Sequence, residues 1–271
     1  MSQVIEHKFR FPKGQDHLKL LVVPDAHHAP PDDTQGGIDP YAWSVFNQAA
    51  EILKPDGAII IGDWSECTSV NGYQWAKKKR PRVEETLEQL AREAFYSQCA
   101  LDELQKSMGT QCKQQIFIEG NHELWIDNLF DENKHTDPKF RPENLLGLDK
   151  RGIKYYKHGK WIKVGKCYYN HGTQAKGVNH NRNMILKHGK NLIYGHTHDL
   201  NAYASPTLGG MLKSYSCGFL GLVEKDFLRG ATTNWEHGFM TVMLHKTGYY
   251  TPKQYSINHG TTWVNGQRIK A

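Results

Sequence analysis

The sequence lacks any long apolar run, which argues against a membrane-spanning protein. No stretch approaches the roughly 20 consecutive apolar residues that a transmembrane helix requires. Residues 1–11 mix charged with apolar side chains, so they lack the uninterrupted apolar region of a signal peptide. We expect a cytoplasmic protein with no membrane partner.

Cysteine is also scarce, and its pattern argues against cross-links. The five cysteines are an odd number, are widely spaced and include no Cys-x-x-Cys pair. This pattern fits reduced thiols better than a disulfide framework, and structural zinc on cysteine is not expected.

No feature of the sequence divides it into parts. It has no internal repeat and no low-complexity linker, and 38% hydrophobic with 23% charged residues is ordinary for a soluble globular protein. We therefore expect residues 1–271 to form a single α/β domain. The net charge of +6 favours anionic partners through electrostatic steering, but it is too small to establish nucleic-acid binding.

Three short apolar runs of strand length end in polar residues. Side chains two residues apart at a strand end point the same way, so Asp25 and His27 can converge on one point. One such pair alone could be a polar loop that arose by chance. The runs and the residues that follow them are 18–23 with Asp25 and His27, 57–61 with Asp63, and 116–118 with Asn121, His122 and Glu123.

Two further predicted strands end in histidine. A hairpin is predicted for residues 161–169, and its second strand leads to His171. Residues 191–194 lead to His196 and His198, which repeat the two-residue spacing. Because the carboxyl ends of the strands form the ligand-binding edge of an α/β sheet, we expect all of these side chains to gather in one place.

The side chains at these strand ends are suited to metal ions. Carboxylate, imidazole and amide oxygen form a mixed set that suits Mn, Fe, Ni or Zn and is poor for Ca or for copper electron transfer. A single catalytic ion needs about three protein ligands plus water, and this set is larger. We therefore predict two divalent cations that share a bridging carboxylate, with Mn²⁺ as the first candidate and Fe, Zn or Ni as alternatives.

The ordered motifs resemble those of the calcineurin-like metallophosphoesterase family. The motifs are Asp25-x-His27, Gly62-Asp63, Gly120-Asn121-His122-Glu123, His171-Gly172 and Gly195-His196-x-His198. The resemblance covers roughly residues 18–200 and implies a four-layer α/β/β/α sandwich with two mixed β-sheets. The strands expected in residues 205–271 would complete the second sheet. Residues 64–110 would be an insertion and a candidate cap.

The resemblance also implies a role for each motif residue. Asp25, His27 and His198 would hold the first metal, Asn121, His171 and His196 the second, and Asp63 would bridge them. A hydroxide between the metals would attack phosphorus in line, with His122 as the catalytic acid or electrostatic stabiliser. Glu66 would orient His122, because protein phosphatases of this family carry an acid three residues after the bridging Asp. Glu123 is the alternative orienting residue, although a structural role suits it better.

Two departures from the family pattern bear on the substrate. The protein-phosphatase branch has Arg directly after the orienting acid and directly before the Gly-Asn-His motif, where this sequence has Cys67 and Glu119. Arginine forks grip the dianionic phosphate of a monoester, so their absence favours a phosphodiester. We expect a phosphodiesterase or a nuclease acting on DNA or RNA. The alternatives are a phosphomonoesterase and, less favoured, a non-catalytic nucleic-acid-binding module.

The segment between the second and third motifs supplies candidate substrate contacts. Residues 64–82 mix aromatic with basic side chains, which can stack on bases and neutralise phosphates; a solvated charged loop is the alternative. A long helix is predicted for residues 83–108. Two further candidates lie beyond His171. The candidate substrate residues are Tyr73, Trp75, Lys77, Lys78, Lys79, Arg80, His180 and Arg182.

Overall fold

Two six-stranded β-sheets and five α-helices form the framework of the described chain. The structure is a computed structural model, and it describes residues 4–33, 36–73, 79–224, 228 and 230–271. The strands are β1 (Val4–Glu6), β2 (His17–Val23), β3 (Gly57–Ile60), β4 (Gln114–Ile118), β5 (Ile153–Tyr156), β6 (Trp161–Val164), β7 (Cys167–Asn170), β8 (Leu192–Tyr194), β9 (Ala202–Thr207), β10 (Gly210–Ser216), β11 (Gly238–His245), β12 (Tyr250–Ser256), β13 (Thr261–Val264) and β14 (Gln267–Lys270). The helices are α1 (Pro40–Leu53), α2 (Val83–Met108), α3 (Asn121–Glu132), α4 (Pro142–Leu145) and α5 (His180–His188).

Each large sheet mixes parallel with antiparallel strand pairs. Sheet I has the order β12-β11-β2-β3-β4-β5, in which β2 to β5 are parallel and β11 is antiparallel to both of its neighbours. Sheet II has the order β1-β6-β7-β8-β10-β9. Strands β13 and β14 form a separate hairpin. This mixed α/β arrangement is compatible with an α/β sandwich.

The central strands of sheet I are apolar throughout because both of their faces are covered. Along β2, Leu20 and Val22 pack in a core that also contains residues of sheet II, whereas Leu21 and Val23 pack with α1 and α2. On the far side of sheet II, Met184 of α5 packs against β8. Continuous apolar runs are typical of parallel strands that are buried on both faces.

Helix α2 has the bounds predicted from the sequence, and it belongs to the core. Leu101, Leu104 and Met108 are fully buried in the cluster that also contains residues of α1. The interpretation of residues 64–110 as a cap is therefore wrong for this helix, because its apolar face covers a sheet. Although α2 is 26 residues long, no described helix combines the length and the apolar character that crossing a bilayer requires.

The strands after residue 205 do not all join the second sheet, contrary to the prediction. Strand β10 pairs with β8 in sheet II, but β11 and β12 extend sheet I beyond β2. The physical reason is the burial of β11 on both faces. Met240 and Val242 pack in the core between the sheets, and Phe239 packs with the helices. Such a strand requires an interior position, which the free side of β2 provides.

Candidate metal centre

The predicted ligands come together at one end of both sheets. Asp25, Asp63 and Asn121 follow β2, β3 and β4, which are adjacent parallel strands of sheet I. His171 and His196 follow β7 and β8, which are adjacent parallel strands of sheet II. The carboxyl ends of five strands therefore deliver candidate ligands to one site.

One group of candidate ligands contains Asp25, His27, Asp63 and His198, whose ligand atoms all lie within 4.8 Å of one another. His27 Nε2 lies 3.1 Å from His198 Nε2, and the latter lies 3.2 Å from Asp25 Oδ2. Two imidazole nitrogens at this distance direct lone pairs at each other unless one carries a proton, and a cation between them removes that conflict. The buried Oδ1 of Asp25 has no hydrogen-bond partner within the described part of the chain. This group fits a divalent metal ion.

A second group contains Asp63, His171 and His196, again with ligand atoms within 4.8 Å of one another. His171 Nε2 lies 3.0 Å from the amide oxygen of Asn121 and 3.2 Å from Asp63 Oδ2. Asp63 belongs to both groups, so its carboxylate is shared between them. The two groups together could hold two metal ions, and their oxygen and nitrogen donors do not identify which metal.

Two of the histidines are held with Nε2 directed at the ligand groups. His171 Nδ1 lies 2.9 Å from the backbone oxygen of Ile61, and His27 Nδ1 lies 3.1 Å from Glu66 Oε2. The backbone carbonyl accepts a hydrogen bond from His171 Nδ1, and the carboxylate lies within ion-pair distance of His27 Nδ1, so Nε2 of each ring is left available to a metal. Outer-shell partners of this kind usually accompany histidine ligands in metalloproteins.

The Glu66 side chain is not placed to orient His122, contrary to the prediction. Its carboxylate faces His27, whereas its closest approach to His122 Nδ1 is 3.9 Å. The backbone oxygen of Glu66 instead lies 2.6 Å from His122 Nδ1. Since a carbonyl can only accept, Nδ1 carries the proton, and the opposite nitrogen, Nε2, lies 3.8 Å from Asp63 Oδ2.

Glu123 is a structural residue of the site. Its carboxylate is fully buried and accepts backbone N–H bonds from Asp63, Trp64, Ser65 and Gly120, at 2.9 to 3.1 Å. These bonds join the loop after β3 to the first turn of α3. The helix therefore begins at residue 121, directly after the strand and its glycine.

The backbone of the site is strained at several candidate ligands. His27, Asp63, His196 and His198 all have a positive φ, between 46° and 67°. Side chains other than glycine rarely adopt this conformation, and it is concentrated at functional sites because the surrounding structure must hold it. A Cβ atom on Gly120 would lie only 2.1 Å from Asp63 Oδ1, which explains the glycine before Asn121 in that motif.

Protons compensate part of the buried charge when no cation is bound. Burial opposes charge on His171, but the neighbouring carboxylates of Asp63 and Asp25 raise the pKa of its imidazole to about 10. The pKa of Asp63 is well below its usual value, because His171 and His122 outweigh the opposite effect of burial. Burial, together with His171, lowers the pKa of His196 to about 4. The site thus concentrates negative charge that a proton on His171 partly neutralises.

The predicted substrate residues are not all near this site. His180 is buried, with its ring nitrogens 2.7 Å from the hydroxyl of Tyr194 and 2.7 Å from Asp199 Oδ2. The prediction that His180 contacts substrate is therefore wrong, because the start of α5 turns this ring into the protein. Arg182 is exposed on the same helix. Trp75, Lys77 and Lys78 lie outside the described residues.

Two of the remaining candidates, Tyr73 and Arg80, line a cleft that Trp125 also lines. Tyr73 is 83% exposed, Lys79 is exposed, and Arg80 pairs with Glu132 at 2.5 Å. The sequence interpretation missed Trp125, whose ring centroid is 4.0 Å from that of His122. Its spacing of three residues from His122 on a helix could have indicated the contact.

The two positions that distinguish this sequence from protein phosphatases are both buried. Cys67 packs in an apolar cluster, and Glu119 accepts a 2.7 Å hydrogen bond from the backbone N–H of His158. Burial raises the pKa of Glu119 to about 7. His158 is half-buried, with its ring centroid 6.3 Å from that of His171. Neither Cys67 nor Glu119 offers a positive charge to a phosphate.

Comparisons with known proteins do not assign the chain to a family. No protein-family model matches it, and no curated protein matches it. The residues of the site are therefore the basis for its function.

Proposed function

We propose that the protein is a metal-dependent phosphoesterase of the calcineurin-like type and that its substrate is a phosphodiester. The observation that carries the proposal is the position of Asp63, which belongs to two adjacent ligand groups and lies 3.8 Å from His122 Nε2. The order of helices, sheet I, sheet II and α5 also agrees with the four-layer α/β/β/α sandwich of that family.

The two groups would each hold one divalent cation, with Mn²⁺ as the first candidate. Asp63 would contact both ions. When bound, the two cations would lower the pKa of a water molecule between them and neutralise charge on the phosphate oxygens. The ligands of the first ion would be Asp25, His27 and His198, and those of the second Asn121, His171 and His196.

His122 would supply the proton that the reaction requires. Hydrolysis forms a bond between phosphorus and the oxygen of water, and it breaks the bond to the leaving oxygen, which must gain a proton. With Nδ1–H donated to the Glu66 carbonyl, a protonated His122 presents Nε2–H towards the ligand groups and can give that proton to the leaving oxygen. Glu66 would act on His27 through its carboxylate and on His122 through its backbone.

A phosphodiester is favoured over a monoester because of charge. A monoester dianion is usually gripped by arginine forks, and the two positions where protein phosphatases carry them are here the buried residues Cys67 and Glu119. A diester carries a single negative charge and needs less compensation. The net charge of +6 is compatible with a polyanionic substrate such as DNA or RNA.

The test compares two chromogenic esters in the presence of Mn²⁺. We expect bis-p-nitrophenyl phosphate to be hydrolysed with a higher kcat/KM than p-nitrophenyl phosphate, and EDTA to abolish both reactions. A strong preference for the monoester would overturn the diester assignment. If neither ester nor any oligonucleotide were hydrolysed with Mn²⁺, Fe²⁺, Zn²⁺ or Ni²⁺, a non-catalytic binding module would be the better interpretation.

A further inference from the structure

We propose that a cleft beside His122, lined by Trp125, Tyr73 and Arg80 and here called the base cleft, binds a base of single-stranded nucleic acid next to the scissile phosphodiester. The cleft has a volume of about 470 Å³. Clefts of roughly 300–1,000 Å³ bind small molecules and cofactors, so the space is sufficient for one nucleoside. The inference rests on the proposed function, because it names the substrate class of that same site.

The base cleft is connected to the candidate catalytic histidine by a series of rings. The rings of His122 and Trp125 are 4.0 Å apart at their centroids and inclined by 32°. Tyr73 follows, with its ring centroid 6.4 Å from that of Trp125 at 71°. On its other side His122 contacts His27 in an edge-on arrangement at 4.6 Å. His122 thus contacts both His27 of the ligand groups and Trp125, which lines the cleft.

The chemistry of the lining matches a nucleotide unit. Tyr73 is 83% exposed, and such a large exposed apolar ring is available to stack on a planar ligand. Arg80 pairs with Glu132, yet its side chain remains 53% exposed, which leaves guanidinium donors for a phosphate. Asn128 adds a polar group to the wall of the cleft. Aromatic faces beside a cation are the usual elements of single-strand binding.

The substrate implied is single-stranded because stacking requires an exposed base face. In a duplex each base is stacked between its neighbours, so neither Tyr73 nor Trp125 could contact its face without extrusion of the nucleotide. Stacking tolerates any sequence, because every base has such a face. We therefore expect little sequence preference.

The test measures binding under conditions that prevent hydrolysis. Fluorescence anisotropy with labelled hexathymidylate in EDTA is compared with a hexamer of abasic sugar-phosphate units, which carries the same charges without bases. We expect the wild type to bind hexathymidylate about tenfold more tightly than the abasic hexamer. Tyr73→Ala should remove most of this preference. Because the Tyr73 side chain is highly exposed, its removal should not unfold the protein. Arg80→Ala should weaken binding of both hexamers. It should also reduce the slope of log K against log salt concentration by the equivalent of about one released counterion.

A matched control is Tyr249→Ala, which removes an exposed tyrosine from the turn between β11 and β12, at the opposite end of sheet I. It should bind both hexamers as the wild type does. An equal effect of Tyr73→Ala on both hexamers, or equally tight binding of a duplex, would overturn the inference. Hydrolysis of bis-p-nitrophenyl phosphate without any base preference would reject the base cleft alone. A base preference that depends on Tyr73 without hydrolysis of any ester would reject the proposed function alone.

Discussion

At the scale of single residues, Asp63 connects the parts of the site. Its Oδ1 accepts the backbone N–H of His122 at 2.9 Å, its Oδ2 lies 3.2 Å from His171 Nε2, and its own N–H donates to Glu123 at 3.0 Å. We predict that Asp63→Asn lowers the affinity for both metals by at least about 100-fold, the upper range for loss of an outer-shell partner alone, and removes nearly all hydrolysis. Metal content measured by mass spectrometry beside the hydrolysis rate checks this. Retention of both metals would contradict the bridging role.

His122 has a different role, so its loss should have a different signature. His122→Ala should keep both metals bound, since no ligand is lost, but should hydrolyse oligonucleotides about 10²- to 10⁴-fold more slowly, the usual range for a general acid. The loss should be smaller for bis-p-nitrophenyl phosphate, because p-nitrophenolate leaves without needing a proton. The same metal analysis is the control. Loss of metal from this variant would show that His122 is a ligand.

The clustering of the candidate ligands could be predicted from the sequence, whereas the directions of some other side chains could not. Asp25 and Asp63 directly follow apolar runs, so the strand-end rule places them together. The direction of Glu66 depends on a tertiary contact: its carboxylate lies against Gly36, where a Cβ would be 2.1 Å from Oε2. His180 was wrongly predicted for the same reason, since its partner Asp199 follows another strand.

At the scale of elements, α2 supports the loop that follows Asp63. Glu93 of α2 accepts hydrogen bonds from the backbone N–H and the hydroxyl of Ser69, at 2.8 and 3.0 Å. Trp64 donates from its indole to the backbone oxygen of Ser97 at 3.0 Å. The long helix therefore fixes the segment from which both Asp63 and Glu66 reach the site.

Glu93 makes the stability of this contact depend on pH. Burial raises the pKa of its carboxyl from 4.5 to about 7, although the bonds from Ser69 act in the opposite direction. The folded state therefore binds more protons than the unfolded state between these values, and stability falls as pH rises through this window. We predict that Glu93→Gln is more stable than the wild type at pH 8 by about 3 kcal/mol, since the pKa rises from 4.5 to about 7 on folding and one pKa unit corresponds to about 1.4 kcal/mol, and that this advantage disappears at pH 4.5.

Urea unfolding at the two pH values measures this difference. Glu88→Gln is the matched control, because Glu88 is exposed on the same helix, and it should follow the wild type at both. An unchanged difference between pH 4.5 and pH 8 for Glu93→Gln would contradict the assignment.

The bounds of helices and strands could be predicted better than the pairing of the strands in the sheets. The bounds of α2 and the apolar strands β2, β3 and β4 follow from local periodicity and composition. The placement of β11 beside β2 depends on pairing between residues more than 200 positions apart, such as Val242 with Leu20. No local pattern encodes that choice, which is why these strands were assigned to the wrong sheet.

At the scale of the whole molecule, the ligand groups connect the two sheets. Sheet I contributes Asp25, Asp63 and Asn121, whereas sheet II contributes His171 and His196. Within the described part of the chain, the two sheets otherwise share only one hydrophobic core cluster. Metal ions bound by side chains of both sheets would cross-link the sheets at the carboxyl ends of their strands. Metal binding and global stability should therefore be coupled.

The last prediction concerns this coupling and its dependence on pH. Mn²⁺ at about 100 times its dissociation constant should stabilise the fold by about 2.7 kcal/mol, which corresponds to an increase in Tm of roughly 5–10 °C for a chain of this size. The raised pKa of His171, about 10, stabilises the metal-free fold most below its unfolded value near 6.5, and this contribution is lost as pH rises towards 10. Because a cation must displace that proton, the increase in Tm at a fixed Mn²⁺ concentration should be larger at pH 8.5 than at pH 6.

Differential scanning calorimetry with Mn²⁺ and with EDTA measures this increase in Tm. The Asp63→Asn variant is the control and should show little increase at either pH. An equal increase at both pH values in the wild type would mean that no proton is displaced from His171, and a ligand set that excludes His171 would then be required.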